Sequence, residues 1–489
     1  MSLRERAAKG LTWSLVERWG AELFGLGIFV VLSRQLDPRD FGLVALATVV
    51  IDFARRLVDQ GFSEAVVQRA EVDQEHLDTA FWTGIVTGST LALGLLALAG
   101  PIAGWFGEPD LAPVLRWLSA AFVVRGLSGT QQALLVRSLR FQQLAMRTLV
   151  AECAAGVVAI TLALSGFGVW SLVGQALASG VFGVLTLWRV SAWRPGFAFR
   201  WSHFRELMSF GANIVGFKLL NVLAGRMDAF LIGTFLGAVA LGYYSVAGRI
   251  LHAISKILTG VMNSVAFPVF SRMQGDPERM RRAFYEATQL TSLVTLPAFL
   301  GAAAIAPDAI PFAFGAQWGP SVPVMQVLAC VGVLSSLMQF NGSVLKAVGK
   351  PSWRLGIGML DTVFTSLAIL AVVRSGITAV ALAGGAVSLL LCPVGFFAVR
   401  RLIGIRAGRY AAQFARPLAA ALLSAGAALA VRVLAEPLAL PVRIALAVGA
   451  GAAAYGIGLR LAAPALLRRC FELVGDAWPA RLRPRAPEA

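Results

Sequence analysis

Charged residues are scarce in this sequence: they make up 14% of its 489 residues, whereas hydrophobic residues make up 57%. Soluble proteins carry about 25% charged residues, so the composition excludes an ordinary soluble domain. The mean hydropathy is +0.73, and apolar blocks of about 18 residues or more recur along the whole chain. The sequence therefore predicts an all-α polytopic membrane protein.

Residues that bind metals or form disulfides are also few. Cys153, Cys330, Cys392 and Cys470 are scattered through predicted apolar helices or the tail, without metal-ligand spacing or a plausible disulfide partner. The expected role of these cysteines is core filling. The sequence has no Walker-type phosphate loop and no convincing nucleophile–base pair. We therefore expect no enzyme activity, no metal and no cofactor.

Long polar stretches that could form a separate soluble domain are absent as well, and the predicted external loops are short. A membrane polysaccharide polymerase or ligase needs catalytic residues on an extended external loop, so this class stays a remote alternative. The start of the chain is basic, but it has no clean apolar core and no small-residue cleavage site. We interpret it as the cytoplasmic start of the first helix rather than a signal peptide.

Basic residues outnumber acidic ones, 43 against 26, which gives a formal net charge of +17. In a membrane protein the positive-inside rule explains such an excess, so we expect no nucleic-acid partner. About 14 helices can be drawn, and nearly all Lys and Arg residues of the loops fall on one side when both termini are cytoplasmic. The predicted helices cover roughly 11–33, 41–61, 80–100, 113–135, 147–165, 169–189, 207–225, 240–262, 287–305, 321–345, 356–373, 378–399, 414–434 and 442–462.

An internal repeat relates two parts of the chain at an offset of 200 to 210 residues: 36–42 corresponds to 236–242, and 106–107 resembles 314–315. Such a repeat predicts two six-helix lobes of equal orientation. The linker between them alternates Arg with aromatic residues, which suits the lipid headgroup layer. The predicted division is an N-terminal lobe at 1–190, a cytoplasmic basic and aromatic linker at 191–206, a C-terminal lobe at 207–400, helices 13 and 14 at 401–465, and a cytoplasmic basic tail at 466–489.

A charged stripe lies on the second predicted helix, where Asp52, Arg55, Arg56 and Asp59 follow at i, i+3, i+4 and i+7. On a helix this spacing places all four charges on one face. Each charge costs roughly 2.5 to 3.5 kcal/mol at a helix centre on insertion scales. The stripe is therefore expected to face other helices or water rather than lipid.

Predicted helices one, two, seven and eight hold most of the polar residues, and we expect them to line a central water-filled cavity. Cations exceed acids there, which predicts an anionic substrate, and arginine suits paired contacts with phosphate oxygens. The candidate substrate-binding cations are Arg18, Arg55, Arg56, Lys218, Arg249 and Lys256. The candidate coupling or cavity residues are Glu22, Asp52, Glu152, Asn221, His252 and Asp361.

Several of these candidates have a second interpretation. The acids Glu22 and Asp52 are equally well explained as structural ion-pair partners of arginines on their own helices. Glu152 and Asp361 are isolated acids, which serve either as proton or cation sites or as partners of cations on other helices. His252 is expected in the cavity wall, because no second His or Cys stands nearby to complete a metal site.

The opening of the chain, from Lys9 to Arg69, resembles the polysaccharide-exporting branch of the multidrug/oligosaccharidyl-lipid/polysaccharide exporter superfamily. The similarity includes the L-x-P-x-D-F-G turn from Leu36 to Gly42 and the stretch LGAVALGYYSVAGRI at 236–250. It extends to about residue 400, and its motifs are typical of lipid-linked oligosaccharide flippases of the colanic-acid-exporter type. The last two predicted helices match only in hydropathy.

The resemblance implies two six-helix lobes arranged as a V, alternating access and a cationic cavity in the bacterial inner membrane. The implied cargo is an undecaprenyl-pyrophosphate-linked oligosaccharide, moved to the periplasmic leaflet for export of exopolysaccharide, capsule or O-antigen. Exchange against H⁺ or Na⁺ is implied as well, with a polysaccharide polymerase, chain-length machinery and membrane lipids as partners. The alternatives are a peptidoglycan-precursor flippase and a cation-coupled drug antiporter of the same superfamily. An exporter of cationic drugs would need an acidic cavity.

Overall fold

The computed structural model of the protein describes residues 3–59, 66, 72–462 and 464. Within these ranges it does not describe the side chains of residues 3–12, 14–16, 18, 56–59, 203, 206–224 and 259–265. The predicted tail at 466–489 lies outside the described residues. The described part of the chain consists of helices joined by turns and irregular segments, without a β-strand. This confirms the predicted all-α class.

The described helices follow one another, from residue 72 onward, with connections of about ten residues or fewer. In chain order they are α1 (Leu3–Gln35), α2 (Pro38–Asp59), α3 (Gln74–Phe106), α4 (Leu111–Leu118), α5 (Ala120–Gly126), α6 (Gly129–Arg137), α7 (Phe141–Leu164), α8 (Trp170–Val190), α9 (Trp201–Ser271), α10 (Pro277–Phe314), α11 (Ser321–Met338), α12 (Asn341–Ala347), α13 (Pro351–Val372), α14 (Ile377–Ile403), α15 (Ala407–Leu434) and α16 (Leu440–Ala462).

Many of these helices are long and apolar enough to cross a membrane. Among the described residues ten helices meet this condition, and the number rises to eleven if the bent pair 111–126 and 129–137 forms one span. Many large apolar side chains point outward, including Leu93, Leu390 and Leu434. Such exposure is expected where lipid replaces water as the solvent. The chain is therefore a multi-pass membrane protein.

The fourth predicted helix, at 113–135, is broken into the three short helices α4, α5 and α6, with a bend of 42° before the last of them. The hydroxyls of Ser119 and Ser128, at the two breaks, bond the carbonyls of Arg116 and Arg125, three residues earlier. Such bonds compete with the helical hydrogen bonds of the backbone. Hydropathy is averaged over a window longer than these short helices and does not detect such a break. The sequence therefore predicted one continuous helix.

The seventh and eighth predicted helices meet at a kink within α9 rather than being separated by a long loop. The chain stays helical beyond the predicted end at residue 225 and kinks at Gly237, which has φ 81° and ψ −178°. Only glycine adopts this backbone conformation at low cost. Arg226 therefore lies inside a helix, and the predicted external loop at 226–239 shrinks to a kink.

The segment between α8 and α9 is tied to the first turns of α3. The buried Asp78 carboxylate accepts a hydrogen bond from the Gly196 N–H at 2.9 Å, and the Trp82 indole donates to the Gly196 carbonyl at 2.7 Å. Arg200 adds an ion pair to Glu75 at 2.6 Å. The aromatic and basic linker is thus held against one helix end by specific polar contacts.

The chain divides into two compact units. Unit 1 comprises residues 1–253, 313–324 and 358–387, and unit 2 comprises 254–312, 325–357 and 388–489. In unit 1, α1 packs on α7, α7 on α8, and α3 on α4 and α5. Its largest buried core includes Leu46, Leu115 and Ile232, from α2, α4 and α9.

Unit 2 is built around its own core and carries the last two helices. Phe270, Phe284 and Phe340 are buried together with Tyr410, whose hydroxyl donates to the Leu337 carbonyl at 2.6 Å. Helices α15 and α16 pack closely on each other, and small alanines of both meet α10. Small residues let helices approach closely where lipid gives no hydrophobic driving force between them.

Candidate functional site

The charged stripe of α2 meets α9 in unit 1. The Asp52 carboxylate accepts two hydrogen bonds from Arg226, one from Nη2 at 2.6 Å and one from Nε at 3.0 Å. Arg55 Nη1 lies 3.9 Å from the other Asp52 oxygen. Two guanidinium groups therefore share one carboxylate, which leaves this group of three residues with a net positive charge.

A second ion pair joins α1 and α9 in the same unit. The Arg249 guanidinium lies 3.9 Å from the Glu22 carboxylate, which is almost fully buried. Arg249 packs directly against α1 at Gly25, where an added Cβ would lie 3.3 Å from its Nη2. The structure thus supplies from another helix the carboxylate that Arg249 lacks at i±3 and i±4 on its own helix.

A third polar contact spans the kink of α9. The Tyr244 hydroxyl donates a hydrogen bond to the Asp228 carboxylate at 3.0 Å, and the other Asp228 oxygen accepts from the Ala229 N–H. The two residues lie on opposite sides of Gly237 in the chain. This contact braces the bend and keeps Asp228 hydrogen-bonded among apolar neighbours.

Four further charges lie close together between α1, α5 and α7. Arg147 interacts electrostatically with Arg125, Glu17 and Glu152, and Glu17 accepts a hydrogen bond from the Thr148 hydroxyl at 2.7 Å. Arg147 Nε is buried without a hydrogen-bond partner in the described part of the chain. Glu152, an isolated acid in the sequence, therefore lies within range of a cation on its own helix and of charges on others.

The remaining candidates are spread over both units or fall outside the described side chains. His252 and Asp361 are exposed residues of unit 1, and Lys256 is an exposed residue of unit 2. The side chains of four candidates lie outside the described part of the structure, namely those of Arg18, Arg56, Lys218 and Asn221.

Sequence reasoning missed Arg226 and Tyr244 as members of this site. Arg226 was placed in an external loop because the predicted helix ended one residue earlier, yet it forms an ion pair with Asp52 of the charged stripe at 2.6 Å. Continued helical periodicity through 226–236 is the signal that would have placed it correctly. Tyr244 gave no such signal, since its partner Asp228 lies on the other side of the kink, 16 residues earlier in the chain.

Comparison with known proteins identifies the family. The family model described as polysaccharide biosynthesis protein matches residues 31–323. The succinoglycan biosynthesis transport protein ExoT of Rhizobium meliloti is 30% identical over 364 residues, covering 74% of this chain and 73% of the relative. The lipopolysaccharide biosynthesis protein WzxC of Escherichia coli is 29% identical over 388 residues, covering 77% of this chain and 76% of the relative.

Two solved structures share the fold. The lipid II flippase MurJ in an inward closed conformation aligns with a TM-score of 0.77 at 13% identity, covering 94% of this chain and all of that one. An inward-facing multidrug resistance MATE family transporter aligns with a TM-score of 0.64 at 17% identity, covering 80% and 98%. On the family match and the identity to ExoT, this chain belongs to the polysaccharide biosynthesis protein family of multi-pass membrane proteins.

Proposed function

We propose that this protein is a transporter that flips undecaprenyl-pyrophosphate-linked oligosaccharide across the inner membrane by alternating access, for export of a surface polysaccharide. The observation that carries this proposal is the match of about three quarters of the chain to a protein named as a succinoglycan biosynthesis transport protein. A protein of Haloferax volcanii named as a probable flippase adds support, since its similarity covers 93% of this chain at 24% identity.

The polar contacts of unit 1 suit an anionic cargo. A pyrophosphate that crosses a low-dielectric region needs compensating charge, because an isolated ion there is costly. Arg55, Arg226 and Arg249 offer guanidinium groups already held in place by Asp52 and Glu22. The carboxylates keep these cations paired while the site is empty, and phosphate oxygens compete for the same donors when cargo enters.

The other sequence candidates complete the proposed path. Arg18, Arg56, Lys218 and Lys256 are proposed to contact phosphate or acidic sugars, and Asn221 and His252 to line the cavity. Coupling to H⁺ or Na⁺ is assigned to the acids, with Glu152 and Asp361 as candidates beside Glu22 and Asp52. No bound cofactor is proposed.

The proposed arrangement has two six-helix lobes at 1–190 and 207–400, helices 13 and 14 at 401–465, and both termini in the cytoplasm. A polysaccharide polymerase and chain-length machinery are proposed to consume the flipped repeat unit. The curated relatives' names favour a surface-glycan precursor over a peptidoglycan precursor, because they refer to succinoglycan, lipopolysaccharide and teichuronic acid biosynthesis.

Deletion of the gene and complementation test the proposal. The deletion strain is expected to lose surface polysaccharide and to accumulate the lipid-linked oligosaccharide on the cytoplasmic face. Sidedness is measured with a membrane-impermeant sugar-reactive reagent on right-side-out and inverted vesicles. Normal polymer without a trapped intermediate, in a strain that lacks a redundant flippase, would contradict the flippase assignment.

Complementation with Arg226→Ala sharpens the test, since it leaves Asp52 without its closest cation. We expect flipping to fall by about tenfold or more at normal protein level, because the variant removes a guanidinium proposed to bind the pyrophosphate and a hydrogen bond to a charged group contributes about 1.5–3 kcal/mol. Arg282→Ala is the matched control, because Arg282 is exposed and pairs along its own helix with Glu278 at 2.9 Å. Equal activity of both variants would remove Arg226 from the binding site.

A further inference from the structure

Two glycines at equivalent positions of the repeat hold the backbones of α2 and α9 in direct contact. A Cβ added at Gly42 would lie 1.8 Å from the Ala238 carbonyl oxygen, and a Cβ added at Gly242 would lie 1.9 Å from the Pro38 carbonyl oxygen. Positions 38 and 42 correspond to 238 and 242 at the repeat offset of 200. The contact is therefore reciprocal: each glycine touches the residue equivalent to the other glycine's partner.

The turns that follow α3 and α10 reach across to the same place in a similarly reciprocal way. After Gly107, the Glu108 carboxylate accepts a hydrogen bond from the Ala238 N–H at 3.1 Å. After Gly315, the side chains of Gln317 and Trp318 both donate to the Ser33 carbonyl at 2.9 Å. Each half of the repeat thus satisfies backbone groups at the turn of the other half.

Side chains close the periphery of this contact. Arg39 Nη2 bridges Glu108 at 3.1 Å and Asp110 at 2.9 Å, and Arg34 Nε donates to the Ala313 carbonyl at 3.0 Å. Beneath them the indole of Trp318 is fully buried. We call this cluster, formed by the segments 33–42, 107–110, 237–242 and 313–318, the outer seal.

We propose that the outer seal is the closed external gate of the transport cycle, and that Gly42 and Gly242 are the positions on which closure depends. The proposal rests on the proposed function, since a gate on the side opposite the termini is needed only if cargo leaves there. Contact of backbone with backbone leaves no space for water along the crossing. With the proposed lobes at 1–190 and 207–400, half of the seal belongs to each lobe, so a relative movement of these lobes would separate both halves together.

The energetics suit a gate that must open in every cycle. The Arg39 guanidinium is half exposed, and exposed ion pairs contribute little to stability. The hydrogen bonds across the seal exchange readily for bonds to water on the external side. Van der Waals contact at the two glycines remains, and it is lost at once when the backbones separate. A single added methyl group at either glycine therefore shifts the equilibrium towards the open state.

Thiol labelling tests the proposal without reference to cargo. The reporter is Ser33→Cys, a fully buried position within the seal, in a chain whose four native cysteines are replaced by alanine. Whole cells are treated with a charged, membrane-impermeant maleimide. We expect slow labelling of the parent and labelling about tenfold faster in Gly42→Ala and Gly242→Ala, the effect of a modest shift in the closed-to-open equilibrium.

The matched controls are Gly27→Ala and Gly94→Ala, at helical glycines where an added Cβ meets nothing within 4 Å. They are expected to label like the parent. If the seal glycine variants do not accumulate in the membrane, Glu108→Ala and Glu108→Gln replace them. The alanine variant should label faster than the glutamine variant, which keeps an oxygen for the Ala238 N–H.

The outcomes separate this proposal from the proposed function. Unchanged labelling in folded Gly42→Ala, Gly242→Ala and Glu108→Ala variants overturns the gate, whatever the flipping activity. Faster labelling in a protein whose deletion leaves the lipid-linked intermediates unchanged supports the gate and overturns the flippase assignment instead.

Discussion

At the scale of single residues, charged side chains inside the helices pair with partners far along the chain. Asp52 bonds Arg226 more closely than it approaches Arg55, three residues away, and Glu22 faces Arg249. The sequence predicted ion pairs within one helix, because only the neighbours at i+3 and i+4 can be identified from the spacing of charges along a single helix. In a membrane, an ion pair with a neighbouring helix stabilises a charged side chain more, because the neighbouring helix also separates the charge from lipid.

The same reasoning gives a stability prediction in unit 2. The buried Asp308 of α10 pairs with the partly buried Arg443 of α16, with Nη2 and Oδ1 2.5 Å apart. Arg443→Ala is expected to destabilise the protein by about 3 kcal/mol, because it leaves a buried carboxylate uncompensated. The measurement is the thermal unfolding midpoint in detergent, with Arg282→Ala as the exposed control. The double variant Asp308→Asn/Arg443→Gln should recover part of the loss, and no recovery would show that packing, not charge, is responsible.

At the scale of elements, close helix contacts are made where glycines allow them. In α3, a Cβ at Gly88 would lie 2.6 Å from the Phe122 carbonyl oxygen, and a Cβ at Gly126 of α5 would lie 2.7 Å from the Gly84 carbonyl oxygen. The spacing of Gly84 and Gly88 is the small-xxx-small pattern of membrane helix interfaces. This pattern is visible in the sequence, but its partner, a helix broken into three pieces, is not.

Alanine substitution tests this contact. Gly88→Ala is expected to destabilise the protein by about 1–3 kcal/mol, since backbone rather than a flexible side chain must move. Gly94→Ala in the same helix is expected to be neutral or stabilising, because alanine is the better helix former and nothing lies within 4 Å. The measurement is the thermal unfolding midpoint of each variant, which is expected to be lower for Gly88→Ala than for Gly94→Ala. Equal midpoints would contradict the tight packing of α3 on α5.

At the scale of the whole molecule, the distribution of basic residues predicts the orientation. Nearly all loop Lys and Arg residues fall on the side of the termini, whereas the turn at 435–439 has neither Lys nor Arg. We expect alkaline phosphatase inserted at 435–439 to be active and the same insertion at 404–406 to be inactive. A fluorescent protein at the C-terminus should be bright. The reverse pattern would invert the proposed direction of transport.

Several features of this protein followed from the sequence alone. The all-helical membrane class followed from hydropathy, because burial in lipid is decided by local composition. The family resemblance and the repeat offset of 200 followed from short motifs. The charged stripe of α2 followed from helical periodicity, because its residues are neighbours in the chain as well as in space.

Only the tertiary structure decided what these local features touch. It joined Arg226 to Asp52 and Arg249 to Glu22, and it brought Gly42 against residue 238. The structure also shows that the fourth predicted helix is broken and that Asp78 holds the linker against α3. Each of these contacts links residues more than a hundred positions apart or depends on backbone dihedral angles at one residue. Periodicity and composition give information only about residues within a few turns of the same helix. The contacts between distant segments depend on how the helices pack, which only the tertiary structure shows.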